Sequence, residues 1–248
     1  MRVVKILIVL LIPLFLFSQQ NLPYKMGEYT SYNISFEGIN VAFADIHIKN
    51  SILINKTPTF HIVAKAKTAS FFDLFFKVRD TYETYIDTSC LLPVRFYRNI
   101  QEGGHKKIQR YNFQHKKKKV YFKDTSHVIF ETTQDMLSAF FYARTFSSEN
   151  LNNETKFTVP VFMDEENFDL DILYLYNEIL ETKIGKINCM VFKPIMQEGR
   201  VFEDGEQMKV WISDDDNRLL IKVETEIWAG TIKAEVLRVK NVQHKYNQ

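Results

Sequence analysis

Apolar and polar residues alternate with a period of two through most of this chain, and this alternation limits the fold more than any other feature. Residues Tyr29–Phe36 read YTSYNISF and Val41–Ile48 read VAFADIHI, with Gly38 between them. Successive side chains of a β-strand point to opposite faces, so such runs predict half-buried strands joined by turns. The other predicted strands are Phe60–Ala66, Thr81–Ile86, Val94–Ile100, Ile108–Phe113, Val120–Phe122, Phe157–Phe162, Phe168–Tyr176, Glu178–Lys183, Asn188–Lys193, Gln207–Ile212, Leu219–Ile227 and Thr231–Val239.

Two segments depart from this period. Within Thr133–Phe146 the apolar residues recur at helical spacing, which predicts the one long helix of the chain. Thr133 is the predicted N-cap, and Asp135 in the first turn complements the helix dipole. The other segment, Ser70–Lys77, reads SFFDLFFK and predicts either a short helix or an apolar loop.

One hairpin pattern occurs twice. Tyr85-Ile86-Asp87, with a return strand that starts at Leu92, resembles Trp211-Ile212-Ser213, with a return strand that starts at Leu219. The pattern favours corresponding hairpins in two related halves, although two unrelated hairpins can also share it. We therefore predict a mainly β protein of curved antiparallel sheets, an open or half barrel, with one central α-helix packed in the concavity. Residues 19–248 form a single β-rich domain, with halves at about 27–130 and 155–242 joined by the helix 133–146.

The first residues read as an export signal. Arg2 and Lys5 precede an apolar run that ends at Phe17, and polar residues follow small Ser18. This order is typical of a signal peptide over residues 1–18, and the alternative is an uncleaved N-terminal anchor. The apolar run is shorter than the roughly 20 residues of a spanning helix, so the mature chain is predicted to lack a transmembrane span.

Charge and cysteine content exclude several classes of protein. The 248 residues contain 32 Lys and Arg against 30 Asp and Glu, and this balance gives no reason to expect binding to nucleic acid. Export allows Cys90 and Cys189 to form a disulfide. Their surroundings, a predicted turn and an apolar strand, instead favour two unpaired thiols.

No motif of catalysis, metal binding or cofactor binding occurs, so no catalytic residue, metal ligand or cofactor is predicted. Asp214-Asp215-Asp216-Asn217 offers oxygen ligands for Ca²⁺, but a solvated hairpin turn is the favoured interpretation. Asp164-Glu165-Glu166-Asn167 is interpreted in the same way. Residues 115–119 read HKKKK and predict a charged hairpin tip, with contact to anionic lipid or a partner as the alternative.

Several blocks of residues resemble the bacterial secreted family known as domain of unknown function 3108. The central block Asp135–Arg144 is the most specific of them. The resemblance implies export and a β-rich fold, and it assigns no catalytic residue. Leu220 departs from the proline expected in the late hairpin. The matching residues are Gly27-Glu28-Tyr29, Tyr32, Gly38, Asp80–Thr84, Ile86-Asp87, Asp135–Arg144, Gly185, Cys189, Pro194 and Trp211–Asp215.

A weaker similarity joins the Trp211 hairpin to periplasmic lipoprotein carriers of the LolA/LolB type, which implies an apolar hollow inside a curved sheet. Aromatic residues make up 14% of the chain. A packed core can absorb them, or some of them line such a hollow. The residues predicted to line the hollow, its mouth and its lid are Phe71, Phe72, Phe75, Phe76, Met136, Phe140, Phe141 and Trp211.

Three functions remain open at the level of sequence. The favoured one is a non-enzymatic exported protein, in the periplasm or envelope of a Gram-negative bacterium, that binds or carries a lipid or another hydrophobic small molecule. The second is an assembly or structural factor that contacts an envelope protein. The third is an enzyme, which no motif supports.

Overall fold

The computed structural model describes residues 22–195 and 207–244. The predicted signal peptide lies outside these residues. No helix in the described ranges is long and apolar enough to cross a membrane. The first half of the chain forms β1 Tyr29–Phe36, β2 Ile39–Ile48, β3 Ile52–Ile54, β4 Thr57–Thr68, β5 Arg79–Asp87, β6 Pro93–Glu102, β7 His105–Gln114, β8 Lys119–Phe122 and β9 Thr125–Val128.

The second half begins with the helix and continues with six strands. These elements are α1 Met136–Ala143, β10 Lys156–Met163, β11 Glu166–Thr182, β12 Gly185–Ile195, β13 Gln207–Ser213, β14 Leu220–Ile227 and β15 Gly230–Lys240. Two short 3₁₀ helices, Phe72–Leu74 and His115–Lys117, lie in connections of the first half.

All strands belong to one antiparallel sheet whose order is β10-β11-β12-β13-β14-β15-β1-β2-β4-β5-β6-β7-β8-β9, with β3 paired beside β4. The first strand therefore pairs with the last, and the two halves of the chain meet at β1 and β15. The path has two ends, β9 and β10. The predicted mainly β fold with a curved antiparallel sheet and a single helix is confirmed.

The helix packs between groups of core residues on the inner side of the sheet. Leu137 and Phe141 join the core of the first half, which contains Phe96 and Tyr111. Ala139 joins a second group on β10 and β11. Because neighbouring positions of α1 bury their side chains in different core groups, the helix lies packed in the concavity, as predicted.

The repeated hairpin is present in both halves and contains the same irregularity. In the β5–β6 pair, a β-bulge separates Tyr85 from Ile86, and Ile86 lies opposite Pro93. In the β13–β14 pair, the bulge separates Trp211 from Ile212. A bulge bends its strand and strengthens the local twist, so the same pattern curves both halves of the sheet.

Three predictions of local structure need correction. The helix runs from Met136 to Ala143 instead of from 133 to 146, and its N-cap is Asp135 instead of Thr133. The reason is that Gln134 is still extended: its backbone N–H donates to Pro160, and its carbonyl accepts from Phe162. The two strands predicted over 168–183 are one strand, β11, with a bulge between Tyr174 and Tyr176, and the sequence analysis missed β3 and β9.

The turns and thiols follow the sequence. Cys90 is exposed, Cys189 is buried, and both are free. Residues 214–217 form a turn, in which Asp215 Oδ1 accepts from the backbone N–H groups of Asn217 and Arg218. In the 163–166 turn, Asp164 forms ion pairs with Arg98 and Lys107, so this turn is not only solvated.

Candidate functional site

An apolar cavity of about 210 Å³ lies between the helix and strands β10 to β13. Met136, Ala139, Phe140 and Ala143 line it from the helix side. The opposite wall comes from the sheet, where alternate residues of neighbouring strands share a face. The sheet side chains that line it are Phe157, Leu170, Ile172, Met190, Phe192, Pro194, Val210 and Ile212.

Cross-strand neighbours form this wall. Phe157 lies opposite Ile172, and Phe192 lies opposite Val210. The ring of Phe146, just after the helix, stacks on Phe157 with 4.9 Å between ring centroids. Apolar side chains of the helix, of the segment after it and of the sheet thus form most of the cavity wall.

The first turn of the helix is fixed by a buried carboxylate. Asp135 Oδ1 accepts from the backbone N–H of Leu137 and of Ser138, at 2.9 and 2.8 Å. The Ser138 hydroxyl accepts from the backbone N–H of Asp135 in return, which completes a capping box. Thr84 of β5 donates to Asp135 Oδ2 at 2.6 Å and ties the helix to the sheet. Burial raises the pKa of Asp135 to about 6, against the opposing effect of these hydrogen bonds.

The last turn of the helix is fixed by a buried ion pair. Arg144 contacts the two carboxylate oxygens of Glu28 at 2.6 and 3.1 Å. It also donates to the carbonyl oxygens of Pro23 and Asn217, at 3.2 and 2.7 Å. The guanidinium lies over the ring of Tyr24 as well, 5.2 Å from its centroid. One side chain therefore joins the N-terminal segment, the helix and the hairpin turn of the second half.

A second arginine lies at the edge of the cavity. Arg218 lines it, donates from Nη1 to the carbonyl of Phe146 at 3.1 Å and is half-buried. No acidic side chain in the described ranges forms an ion pair with Arg218. Arg144, which also lines the cavity, is by contrast paired with Glu28.

The structure divides the eight residues predicted to form an apolar site. Met136 and Phe140 line the cavity. Phe141 instead packs in the first core, and Trp211 is buried in the core of the second half, where its indole N–H donates to Glu178 at 2.7 Å. The remaining four, Phe71, Phe72, Phe75 and Phe76, lie in the β4–β5 connection and do not line the cavity.

Sequence reasoning missed the sheet wall and both arginines. The alternation of Leu170 and Ile172 in β11 marks one face of the strand, but it does not tell which face meets the helix. That choice depends on how α1 lies across β10 and β11. Arg218 follows an acidic turn and gave no signal in the sequence, because its place depends on the contact with Phe146.

Few polar side chains line the cavity. Its polar lining residues are Arg144, Arg218, Ser147 and Ser148. None of these is a carboxylate, imidazole or thiol that could transfer a proton near neutral pH. Across the described ranges, no cluster of three or more His, Cys, Asp or Glu side chains has the arrangement of a metal site.

The sequence profile of the family described as protein of unknown function (DUF3108) matches residues 31–236, which is most of the chain. The protein belongs to the DUF3108 family. This membership confirms the resemblance identified in the sequence. No curated protein matches this DUF3108 chain. The family is described as one of unknown function, so membership assigns no activity. The similarity to LolA/LolB-type carriers stays an expectation.

A solved structure has a fold similar to that of this DUF3108 protein. A beta-barrel-like protein of domain of unknown function DUF1849 from Brucella abortus aligns over 89% of this chain and 99% of its own, with a TM-score of 0.55 and 6% identity. At this identity the likeness concerns the fold alone.

Two further structures align over 89% of this chain and 98% of their own with lower TM-scores. A candidate lipoprotein from Parabacteroides distasonis reaches 0.42 at 10% identity, and a candidate exported protein with a YmcC-like fold from Bacteroides fragilis reaches 0.37 at 8% identity.

Proposed function

We propose that this DUF3108 protein is an exported, non-enzymatic binder or carrier of an apolar ligand, such as a lipid, in the periplasm or cell envelope of a Gram-negative bacterium. The observation that carries the proposal is the apolar cavity between α1 and strands β10 to β13. The N-terminal segment, with its charged start, apolar run and polar end, supports export.

The size of the cavity narrows the ligand class. Pockets for drug-sized ligands commonly measure about 300–1,000 Å³, whereas this one holds about 210 Å³. A single alkyl chain fits such a space better than a bulky ring system. Arg218 at the edge suits a carboxylate or phosphate at the end of that chain, because guanidinium binds both in a planar, bidentate way.

Lipid extraction followed by mass spectrometry tests the proposal on the purified exported protein. We expect an amphipathic molecule with an acidic head group in near-stoichiometric amount. Ala143→Phe places a ring in the cavity and is expected to abolish co-purification, while Ala143→Ser keeps the space and is expected to retain the ligand. A folded wild-type protein that carries nothing and binds no added fatty acid or phospholipid contradicts the proposal.

A second candidate function is envelope assembly through a protein partner. The strand β9 ends the sheet path, and Val128 and Phe130 at this edge are 70% and 58% exposed. An exposed strand edge can pair with a strand of another chain. Site-specific crosslinking from position 128 in cells tests this idea: a reproducible protein adduct together with an empty cavity favours assembly over transport.

A further inference from the structure

A polar groove crosses the outer face of the sheet, on strands β5, β6 and β7. Phe96 and Tyr111 belong to the core on the inner side, so their neighbours Tyr97 and Arg110 face outward, because side chains alternate along a strand. The groove has a volume of about 550 Å³. We call it the arginine groove, and its lining residues are Glu83, Tyr85, Arg95, Tyr97, Arg110 and Asn112.

The two arginines of the groove come from neighbouring strands. In the β6–β7 pair, Arg95 lies directly opposite Asn112, and Tyr97 lies directly opposite Arg110. Arg95 and Arg110 are therefore diagonal neighbours, and residues in this relation lie about 7–8 Å apart. Both side chains are long enough to contact one small anion between them.

Neutral side chains hold both arginines. Arg95 Nε donates to Asn112 Oδ1 at 3.2 Å. The guanidinium of Arg110 lies over the ring of Tyr97, 5.1 Å from its centroid. Within residues 22–195 and 207–244, no acidic side chain forms an ion pair with either arginine. Two positive charges therefore share the groove, and no carboxylate is bound to them.

The acidic residue of the groove, Glu83, is bound on the β5 side. Its Oε2 atom lies 2.7 Å from His61 Nε2 and accepts from the Tyr85 hydroxyl at 3.1 Å. Burial raises the pKa of Tyr85 to about 12, so this hydroxyl stays protonated and remains a donor. The His61 ring stacks on Tyr85, with 4.4 Å between centroids. Strand β6 separates Glu83 from Arg110.

The charges that flank the groove balance each other. Lys65 of β4 lies opposite Asp45 of β2, and the β8–β9 turn contains one residue of each sign. Asp87, at the end of β5, accepts from the backbone N–H and the hydroxyl of Ser89. The excess of positive charge thus comes from the groove itself. The flanking cations are Lys65, Lys119 and Lys123, and the flanking acids are Asp45, Asp87 and Asp124.

We propose that the arginine groove binds a phosphate monoester group. Such a group carries a charge of about −1.5 to −2 at neutral pH and has three acceptor oxygens, which suits two adjacent guanidinium groups. A carboxylate, by contrast, is satisfied by one guanidinium that binds both of its oxygens. The groove falls within the range of about 300–1,000 Å³ that is common for small-molecule sites, so it also has room for the sugar or lipid head group that carries the phosphate.

This site is independent of the apolar cavity. The arginine groove and the cavity share no lining residue, and they lie on opposite faces of the sheet. A variant that fills the cavity should therefore still bind phosphate, and a variant of the groove should still carry the apolar ligand. The two proposals can fail separately.

Isothermal titration calorimetry on the purified protein tests the site. We expect the wild type to bind glucose 6-phosphate at millimolar concentration or below, and to bind glucuronate at least about tenfold more weakly. Glucose, which lacks a charged group, should not bind measurably. In Arg95→Gln/Arg110→Gln, the affinity for glucose 6-phosphate should fall by about tenfold or more for each arginine replaced, as expected when charge-assisted hydrogen bonds are lost.

The matched control is Lys183→Gln/Lys186→Gln. Both lysines are exposed at the β11–β12 turn in the second half, outside the arginine groove. This variant loses the same two charges and should bind glucose 6-phosphate like the wild type. Arg110→Lys keeps the charge without the planar guanidinium and should bind with intermediate affinity. Arg110 is exposed, so this variant tests the site even if the double glutamine variant does not fold.

Two carriers of the phosphate can be told apart. Inorganic phosphate measures the group alone, and flotation with vesicles of phosphatidylcholine and phosphatidic acid in equal parts measures a lipid head group. Flotation that Arg95→Gln/Arg110→Gln abolishes assigns the groove to a phosphorylated lipid. Binding of glucose 6-phosphate without flotation assigns it to a soluble phosphorylated molecule.

Three results would overturn the proposal. The first is a folded wild-type protein that binds neither inorganic phosphate, glucose 6-phosphate nor the vesicles. The second is equal affinity for glucose 6-phosphate and glucuronate, because the two arginines would then not select phosphate. The third is an equal loss of affinity in the groove variant and the lysine control, which would show only the effect of net charge.

Discussion

Arg144 and Glu28 form a two-pronged ion pair, with the guanidinium 2% and the carboxylate 4% exposed, across 116 residues of sequence. The pair joins the segment before β1 to the end of the helix. Arg144 also donates to the carbonyl of Asn217, and this bond connects the pair to the second half of the chain. Glu28 and Arg144 both belong to blocks that carried the family resemblance. Their contact brings these two blocks together in the folded protein.

Removal of one partner should therefore be costly. Arg144→Met leaves the Glu28 carboxylate buried without a counterion, and we expect the free energy of unfolding to fall by about 3–5 kcal/mol. Urea unfolding followed by circular dichroism measures the change. Lys186→Met is the control, because Lys186 and its partner Glu181 are 72% and 80% exposed, and its effect should be small. Equal losses for the two variants would contradict this account.

Asp135 should make the stability depend on pH. Its pKa is about 6 in the folded protein and 3.8 as the ordinary value, so the folded state binds the proton more tightly. Below both values the carboxyl is neutral in both states. As pH rises through this window the unfolded state ionises first, and stability falls by roughly 2–3 kcal/mol. Asp135→Asn keeps an oxygen for the helix cap and should remove this fall.

Comparison with Asp135→Ala separates the charge from the cap. The alanine variant lacks the acceptor for Leu137 and Ser138 and should lose about 1–2 kcal/mol relative to Asp135→Asn at every pH. Urea unfolding between pH 4 and 7 measures both effects. The same pH dependence in wild type and Asp135→Asn would show that another group is responsible.

Adjacent rings of the helix should separate folding from binding. Phe141 is 1% exposed in the first core, so Phe141→Ala should cost about 3–5 kcal/mol. Phe140 lines the cavity and is half-buried, so Phe140→Ala should cost less stability and change the ligand that co-purifies. Thermal unfolding and lipid extraction on both variants give the comparison. Equal destabilisation without a change in ligand would remove Phe140 from the site.

Much of the architecture was predictable because it rests on local patterns. The alternation in Tyr29–Phe36 predicts a strand with one buried face, and this strand is β1. The bulge occurs twice because the same hairpin motif occurs twice. The helix start was not predictable, since Gln134 is extended only because it pairs with β10 at Pro160 and Phe162, which come 26 and 28 residues later. The cavity wall was missed for the same reason: Phe192 and Val210 become neighbours only in the sheet.

The two thiols should differ sharply in reactivity. Burial raises the pKa of Cys189 to about 12. Cys90 is exposed, and partial burial of its side chain raises its pKa by less. The thiolate is the reactive form, so a colorimetric disulfide reagent at mildly alkaline pH should modify one thiol in the native protein and two after denaturation. Cys90→Ser should abolish the native reaction. A native protein with no reactive thiol that gains two only after reduction would show that the cysteines pair.

Arg218 should make the cavity bind an alkyl chain with an acidic end more tightly than one with a neutral end. Arg218→Met removes the guanidinium and keeps much of the apolar stem, so an added fatty acid should bind about tenfold more weakly or worse, as expected for a lost charge-assisted hydrogen bond. Arg218→Lys keeps the positive charge without the planar fork and should fall between the two. Displacement of a fluorescent fatty acid measures the affinities, and the corresponding alcohol is the control ligand. Because the alcohol lacks the anionic group, the methionine substitution should change its affinity little, and an equal loss for acid and alcohol would show that Arg218 only shapes the cavity.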